Sequence, residues 1–150
     1  MLYTFEAQDD RGACIAEAGA MNIMVVLEKG GGGVELVTPP LDGTILPGVK
    51  RRSVLDIAEN WEDVEVRERP ISMDELSRAG REGGLREIFT CGTATLVQPV
   101  GELLREANGE VIAPRLNGTE PDSLTVRVYN VLSDIQYFRM PYKGWSVPFE

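Results

Sequence analysis

The sequence predicts a mixed α and β fold in one domain, because strand-like and helix-like segments alternate along it with short links. Two patterns carry this expectation: an apolar run at residues 23–27, and an apolar stripe at helical spacing that includes Val54, Ile57 and Ala58. No internal repeat is present. A chain of 150 residues, 43% of them hydrophobic, is long enough to bury a single core.

The composition excludes several classes of protein. The chain has 24 acidic and 15 basic residues, and its net charge of −9 disfavours binding to nucleic-acid phosphates. It has no histidine, which excludes Ser-His-Asp and Cys-His nucleophiles and His-ligated metal sites. Cys14 and Cys91 are too far apart for a CxxC redox pair and suit a reducing compartment. We expect neither a signal peptide nor a membrane anchor, since no apolar run reaches ~20 residues.

The first half of the chain predicts a β-hairpin, a helix and a strand. Residues 23–27 (IMVVL) and 34–37 are strand candidates, and the glycines at 30–33 are typical of a loose hairpin turn rather than of a phosphate-binding loop. A helix is predicted from near Val49, because apolar residues recur there at helical spacing. This stripe consists of Val54, Ile57, Ala58 and Trp61. Residues 64–69 alternate apolar and charged, as in a half-exposed strand.

The second half predicts another helix and further strand segments. Ser72 stands three residues before Glu75, which is the capping-box signature of a helix, here running to about Ala79. Residues 85–90 form a strand candidate, and a second apolar piece follows at 96–100.

A last helix and a tail complete the predicted elements. Residues 119–122 (TEPD) offer an N-cap, a proline in the first turn and early acids. The apolar face of this helix would consist of Leu124, Val128, Val131 or Leu132, and Ile135. The tail at 138–150 carries Trp145 and Phe149, and we expect it to be extended and pinned to the body.

Residues 43–50 (GTILPGVK) are a near miss to the P-loop pattern. The lysine comes one residue late and no Ser or Thr follows it, so we expect no nucleotide hydrolysis. Gly48 still lets backbone N–H groups approach an anion at the positive end of the helix dipole. Lys50, Arg51 and Arg52 are disfavoured at that end unless an anionic ligand binds. The alternative is that these side chains simply extend into water, and this stretch alone supports both interpretations equally.

Two weaker signals lie elsewhere. In residues 91–94 (CGTA), backbone N–H groups and the Thr93 hydroxyl could face a ligand, although a plain turn at the end of a strand is the simpler interpretation. We expect Cys91 to be buried and unreactive, because no base is visible to activate it. Glu17 stands among small residues ahead of the first apolar strand and has the pattern of a solvated turn residue. Buried beside a heterocycle, it would instead raise the basicity of a ring nitrogen.

Six segments in order carry a family resemblance: EAGAMNI, TPPLDGTILPGV, ERPISMDEL, GTATLVQPV, DIQY and KGW. Together they resemble the C-terminal part of branched-chain amino-acid aminotransferases, the fold-type IV enzymes that use pyridoxal 5'-phosphate. The resemblance covers nearly the whole chain. It implies that residues 1–150 form one C-terminal cofactor-binding domain, a pseudo-barrel of mixed strands flanked by about three helices. The small N-terminal domain of the family is expected to be absent.

The resemblance also implies a site. Glu17 matches the acid that pairs with the pyridine nitrogen of the cofactor and keeps the ring protonated. Val49 and Lys50 match the positions whose backbone N–H groups hold the cofactor phosphate, and Thr93 matches a threonine that also serves it. Ala20, Thr93 and Ala94 match positions around the substrate carboxylate.

One departure from the family bears on activity. The lysine that forms the Schiff base lies, in the family, further upstream than this chain extends. The lysines present, Lys29, Lys50 and Lys143, do not match it, so no catalytic residue is assigned. A redox cysteine pair that some animal members carry is also missing, with Thr95 and Gln98 in its place.

The resemblance implies transamination between leucine, isoleucine or valine and 2-oxoglutarate, with the 150-residue chain inactive alone. The alternative is a non-catalytic domain that binds pyridoxal phosphate or a partner and associates with a full-length relative. Expected partners are a small amino acid, a 2-oxo acid and a second copy in a homodimer, without nucleic acid or membrane. The expected compartment is intracellular, either cytosol or mitochondrion.

Overall fold

The computed structural model describes residues 1–6, 12–106 and 108–147. This described part contains nine strands and three helices. In chain order they are β1 (Leu2–Glu6), β2 (Ala13–Ala18), β3 (Met21–Glu28), β4 (Val34–Thr38), α1 (Val49–Ala58), β5 (Val64–Glu68), α2 (Met73–Glu82), β6 (Leu85–Cys91), β7 (Gln98–Pro99), β8 (Leu103–Arg105), β9 (Glu110–Ile112) and α3 (Leu124–Gln136).

Strand β3 is the centre of a seven-stranded mixed sheet. Asn22 near its start pairs with both β2 and β6, and Val25 further along pairs with both β4 and β6, all antiparallel. Strands β2 and β4 therefore share the edge of β3 opposite β6. Strands β4 and β5 pair in parallel, since α1 provides the crossover between them. Strands β8 and β9 form a separate hairpin. The mixed α and β class predicted from the sequence is confirmed.

Both faces of β3 are buried, which explains its continuous apolar run. Met24 and Val26 belong to a core cluster with residues of α1 and α3. Ile23 and Val25 point the other way, into a second cluster with residues of α2. The sheet is thus enclosed between helix α2 on one side and helices α1 and α3 on the other. No helix in the described part of the chain is long and apolar enough to cross a membrane.

The starts of α1 and α2 agree with the sequence pattern. Helix α1 begins at Val49. At α2, the Ser72 hydroxyl accepts a hydrogen bond from the Glu75 backbone N–H at 3.1 Å, which confirms the predicted cap. The helix extends past the predicted Ala79 to Glu82, and Gly83, with φ of 74°, ends it in the left-handed conformation.

The predicted N-cap of α3 at residues 119–122 is wrong. The helix begins at Leu124, and the cap is Ser123, whose hydroxyl accepts a hydrogen bond from the Val126 N–H at 3.1 Å. The buried carboxylate of Glu87 in β6 also accepts the Leu124 N–H at 2.8 Å. This contact from a distant strand fixes the start of the helix, and local sequence does not reveal it.

Two further expectations need correction. Glu17 is not a turn residue: it lies in β2 opposite Asn22, and the turn follows at Gly19, which has φ of 62°. The described part of the tail is pinned to α1, because the Tyr142 hydroxyl donates to the Asp56 carbonyl at 3.1 Å, but it turns at residues 143–144 instead of remaining extended. Phe149 lies outside the described residues.

Candidate active site at the edge of the sheet

The predicted site residues lie in segments that adjoin one edge of the sheet, where three neighbouring strands begin or end. Glu17 of β2, Asn22 of β3 and Cys91 of β6 are directly paired across these strands. Directly paired residues of antiparallel strands share a face, so all three side chains lie on the side of the sheet that α1 covers. The start of α1 and the turn after β6 adjoin the same edge.

The Glu17 carboxylate is held at one oxygen. Its Oε1 accepts hydrogen bonds from the Leu46 backbone N–H at 2.8 Å and from the Asn22 Nδ2 at 3.2 Å. Among the described residues, none donates a hydrogen bond to its Oε2. The half-buried carboxylate therefore has a fixed orientation and a free oxygen, an arrangement that can receive a cationic or N–H group of a ligand.

The start of α1 has the geometry of an anion-binding site. Gly48 is the N-cap and provides no side-chain bond, and the first turn contains no acid. By contrast, α2 and α3 are capped by the hydroxyls of Ser72 and Ser123. The first N–H groups of α1 therefore remain available at the positive end of the helix dipole.

Gly48 also has no room for a side chain. A Cβ atom built on it would lie 2.0 Å from the Asn22 Oδ1, far closer than two such atoms can approach. The missing Cβ lets the backbone before α1 pass directly against the strand that carries Asn22. The start of the helix is thereby brought to the side of the Glu17 carboxylate.

Cations accumulate at this helix start. Arg51 is 3% exposed, and its Nη2 donates to the Pro39 carbonyl at 2.7 Å and pairs with Glu68. Lys50 is half-buried and forms no ion pair with the rest of the described chain. A lysine without an ion-pair partner in the described chain, at the positive end of a helix, leaves its charge available to an anionic ligand.

The turn at residues 92–95 rests on the β2–β3 turn. A Cβ on Gly92 would lie 3.0 Å from the Met21 Cγ and 3.8 Å from the Ala20 carbonyl oxygen. The Thr95 hydroxyl donates to the Met21 sulfur at 3.2 Å, and the Gly92 N–H donates to the Thr95 carbonyl at 3.1 Å. Thr93, Ala94 and Ala20 are exposed around this contact, so these small residues are accessible from solvent.

Cys91 is a structural thiol. It is completely buried, and this burial raises the pKa of its thiol to about 12, with the charges of Arg51 and Lys50 opposing the effect. A thiol with such a pKa stays protonated and is a poor nucleophile. The expectation that Cys91 is buried is confirmed.

Two residues of the site were missed by the sequence reasoning. Asn22 connects Glu17 to the loop before α1, and Met21 supports the turn at residues 92–95. The signal available for Asn22 was a polar residue at the start of an otherwise apolar buried strand. Nothing in the local pattern distinguishes Met21 from an ordinary core methionine.

Comparison with solved structures defines the class of protein by its fold. The branched-chain amino acid aminotransferase from Escherichia coli matches with a TM-score of 0.65 and 24% identity, over 95% of this chain and 41% of that one. The branched-chain amino acid aminotransferase from Thermobaculum terrenum in its PLP form matches with a TM-score of 0.64 and 21% identity, over 93% and 38% of the two chains. These likenesses establish the fold-type IV aminotransferase fold.

The sequence comparison defines the family. Residues 8–103 match the family described as amino-transferase class IV, and the chain belongs to that family. It is 46% identical over 123 residues to the mitochondrial branched-chain-amino-acid aminotransferase of Rattus norvegicus, which is 82% of this chain and 30% of the relative. The cytosolic enzyme of Ovis aries is 43% identical over 133 residues, 89% of this chain and 34% of the relative. The chain thus spans about a third of the length of the curated relatives it matches.

Proposed function

We propose that this chain forms the cofactor-binding part of a branched-chain amino-acid aminotransferase. The proposed reaction transfers the amino group of leucine, isoleucine or valine to 2-oxoglutarate and yields a branched 2-oxo acid and glutamate. The observation that carries the proposal is that Glu17, the uncapped start of α1 and the turn at residues 92–95 meet at one edge of the sheet. The identity to enzymes named for this reaction supports the choice of substrates.

The proposed cofactor is pyridoxal 5'-phosphate, which when bound supplies an aromatic ring that withdraws electrons as the substrate loses its α-proton. The start of α1 fits its phosphate group. The backbone N–H groups of Val49 and Lys50 lack a side-chain cap, and Lys50 brings an unpaired positive charge. The Thr93 hydroxyl, exposed on the neighbouring turn, is proposed as a further donor to the phosphate.

Glu17 is proposed to stabilise the protonated form of the ring nitrogen. A carboxylate next to a basic nitrogen favours its charged form, because the opposite charges attract. The anchoring of Oε1 by Leu46 and Asn22 supports this role, since it leaves Oε2 available and limits the side chain to one orientation.

The substrate carboxylate is proposed to bind beside the exposed turn. Ala20, Thr93 and Ala94 are small and exposed where the turn at residues 92–95 meets the β2–β3 turn, which supports access of a carboxylate to the backbone there. Binding through the backbone would orient the amino acid without selecting its side chain, which leaves selection among the branched substrates to other parts of the pocket.

The lysines of the chain are proposed not to serve as the nucleophile. Lys29 pairs with Glu65 at the tip of the hairpin, and the Lys143 Nζ lies 2.8 Å from the Asp56 Oδ1 in the C-terminal segment. Lys50 is proposed to bind the phosphate of the cofactor instead. We therefore propose that the 150-residue chain binds the cofactor without turning over substrate.

Calorimetric titration with pyridoxal phosphate tests this function. We expect saturable binding that Glu17→Gln weakens by roughly 10- to 150-fold, because one charge-assisted hydrogen bond contributes about 1.5–3 kcal/mol. The matched control, Glu102→Gln, changes an exposed carboxylate in a loop and should bind as the parent does. A parent chain that does not bind pyridoxal phosphate would refute the proposed function.

Borohydride reduction in the presence of the cofactor tests the proposal that no lysine of this chain acts as the nucleophile. We expect mass spectrometry to find no specifically modified lysine and an assay with leucine and 2-oxoglutarate to find no turnover. A single modified lysine together with transaminase activity would contradict the second part of the proposal.

We also propose that this chain associates with a second copy as a homodimer. The exposed side chains of Leu46 and Val49, at 70% and 80% exposure, are apolar and adjoin the site, which supports burial against another chain in a homodimer. Size-exclusion chromatography at several concentrations tests it, and a monomer at every concentration would contradict it. The alternative of a non-catalytic domain that associates with a full-length relative is not favoured, because the matched relatives are named as aminotransferases.

A further inference from the structure

We propose that Asn22 is a positioning residue that fixes the Glu17 carboxylate and ties it to the loop leading into α1. The inference rests on the proposed function, in which Glu17 faces the ring nitrogen of the cofactor. Asn22 itself touches neither ring nor phosphate in this proposal. It acts through Glu17 and through the backbone that precedes the helix.

The Asn22 amide uses its donors on both partners. Asn22 is 6% exposed, and its Nδ2 donates to the Glu17 Oε1 at 3.2 Å and to the Leu46 carbonyl at 3.0 Å. A buried amide group with both hydrogens engaged is expensive to displace, because each unmade bond leaves a buried polar group without a partner. The side chain is therefore held in a single orientation.

The contacts form a closed ring of three residues. The Leu46 N–H donates to the Glu17 Oε1 at 2.8 Å, so Leu46 is joined to the carboxylate directly and also through Asn22. The Leu46 carbonyl accepts a second bond from the Gly48 N–H at 2.8 Å. These hydrogen bonds thus extend to Gly48, the residue that caps α1.

The position of Gly48 shows that the fit is specific. The Asn22 Oδ1 occupies the space where a Cβ of Gly48 would stand, 2.0 Å away. An alanine at position 22 would leave this space empty and remove both donor bonds. An aspartate would keep the shape but bring a second carboxylate against Glu17 and remove the hydrogens. Among these residues only asparagine provides both the shape and the donors.

The consequence for the site is preorganisation of both its ends. With Oε1 occupied, Oε2 is the oxygen that remains for the ring nitrogen. The hydrogen bonds among Glu17, Asn22 and Leu46 also set the spacing between this oxygen and the first N–H groups of α1, which are proposed to hold the phosphate. A ligand that binds both ends then does not have to order the carboxylate first, which improves its affinity.

The first arm of the test needs no ligand. Hydrogen exchange measured by NMR on the 150-residue chain should show the Leu46 amide exchanging about tenfold faster in Asn22→Ala and in Asn22→Asp than in the parent. Asn22→Asp retains the side-chain volume and serves if the alanine variant is poorly folded. The matched control is Asn130→Ala, which removes the same side chain from the exposed face of α3. Unchanged exchange of the Leu46 amide in both variants would overturn the inference.

The second arm uses pyridoxal phosphate labelled with nitrogen-15 in the ring. At a pH at which the free cofactor has a neutral ring nitrogen, the parent should show the shift of a protonated nitrogen. Asn22→Ala should bind about tenfold more weakly and shift this signal towards the neutral form, while Asn130→Ala should match the parent. A purely structural role of Asn22 would leave the nitrogen signal of the bound cofactor unchanged, and that result also overturns the inference.

The two arms separate this inference from the proposed function. If the parent binds no pyridoxal phosphate, the proposed function fails, and with it the role of Asn22 towards a cofactor. If the parent binds with a protonated ring nitrogen and the Asn22 variants behave identically, the inference alone fails.

Discussion

The buried carboxylate of Glu87 accepts hydrogen bonds from both the backbone N–H and the hydroxyl of Thr125, at 2.9 Å and 2.7 Å. Its second oxygen accepts the Leu124 N–H at 2.8 Å, and the Arg86 Nε lies 3.5 Å from that oxygen. A buried charge is tolerated only when it is fully hydrogen-bonded and balanced. The start of α3 and Arg86 provide both conditions, and Glu87 thereby fastens α3 to the sheet.

Replacing Glu87 with glutamine should therefore destabilise the fold. The amide keeps the size of the side chain but loses the negative charge and places two hydrogens against helix N–H donors. We expect the free energy of unfolding to fall by about 1.5–3 kcal/mol, measured by urea denaturation. Glu82→Gln, an exposed change at the end of α2, is the control and should lie within about 0.5 kcal/mol of the parent. Equal midpoints for the two variants would contradict this role of Glu87.

The same contact shows where sequence reasoning reaches its limit. The beginning of α1 at Val49 and the Ser72 cap of α2 follow from local spacing, and both agree with the structure. The start of α3 does not, because Glu87, which helps to set it, is 37 residues away from Leu124. A capping partner brought by a distant strand leaves no local pattern.

The candidate site, too, could be predicted from the sequence only in part. The resemblance supplied the roles of Glu17, Val49 and Lys50, and Gly48 at the positive end of a helix dipole supplied a reason for an anion. The burial of Glu17 in a strand depends on its register opposite Asn22, and this register exists only once β2 and β3 have paired. The Asn22 contacts could not be predicted without it.

Gly48 should not tolerate alanine. The new Cβ would collide with the Asn22 Oδ1, since the gap is 2.0 Å. We expect Gly48→Ala to cost about 1–3 kcal/mol in the free energy of unfolding, the usual range for overpacking. The control is Gly30→Ala at the hairpin tip, where no atom lies within 4 Å of the added Cβ, so its effect should be small.

A double variant identifies the cause of the Gly48 effect. In Gly48→Ala with Asn22→Ala, the colliding side chain is gone, so the combined cost should be smaller than the sum of the two single costs. Strict additivity of the two changes would show that the collision is not responsible.

Stability should fall at alkaline pH because of Cys91. Burial raises the pKa of its thiol from the ordinary 9.0 to about 12, against the opposing charges of Arg51 and Lys50. Between these values the unfolded chain releases the proton while the folded chain keeps it. The unfolded state then binds fewer protons, so the free energy of unfolding decreases as pH rises, by about 1.4 kcal/mol per pH unit. Below pH 9 this contribution is constant.

The comparison of the parent with Cys91→Ala isolates this effect from other titrating groups. Urea denaturation at pH 7 and pH 10 should show the parent losing about 1.4 kcal/mol more than the variant over this interval. Equal losses in both proteins would mean that the Cys91 thiol is not protected from ionisation in the fold.

Lys50 should contribute to anion affinity through its charge. The side chain is half-buried at the start of α1 and has no ion-pair partner in residues 12–106 and 108–147, so a bound phosphate would be its first. Lys50→Thr keeps the backbone N–H and removes the charge together with most of the side chain. We expect the affinity for pyridoxal phosphate to fall about two- to fivefold at low salt, because a partly exposed ion pair contributes roughly 0.3–1 kcal/mol.

Salt dependence separates this local contribution from the overall charge of the chain. The control Arg78→Thr removes an exposed positive charge from α2, away from the start of α1, and should leave the affinity within the error of the parent. The difference between parent and Lys50→Thr should shrink as salt rises, since screening weakens an exposed charge pair. An equal loss in both variants would assign the effect to net charge, because a direct contact at α1 requires Lys50 alone to respond.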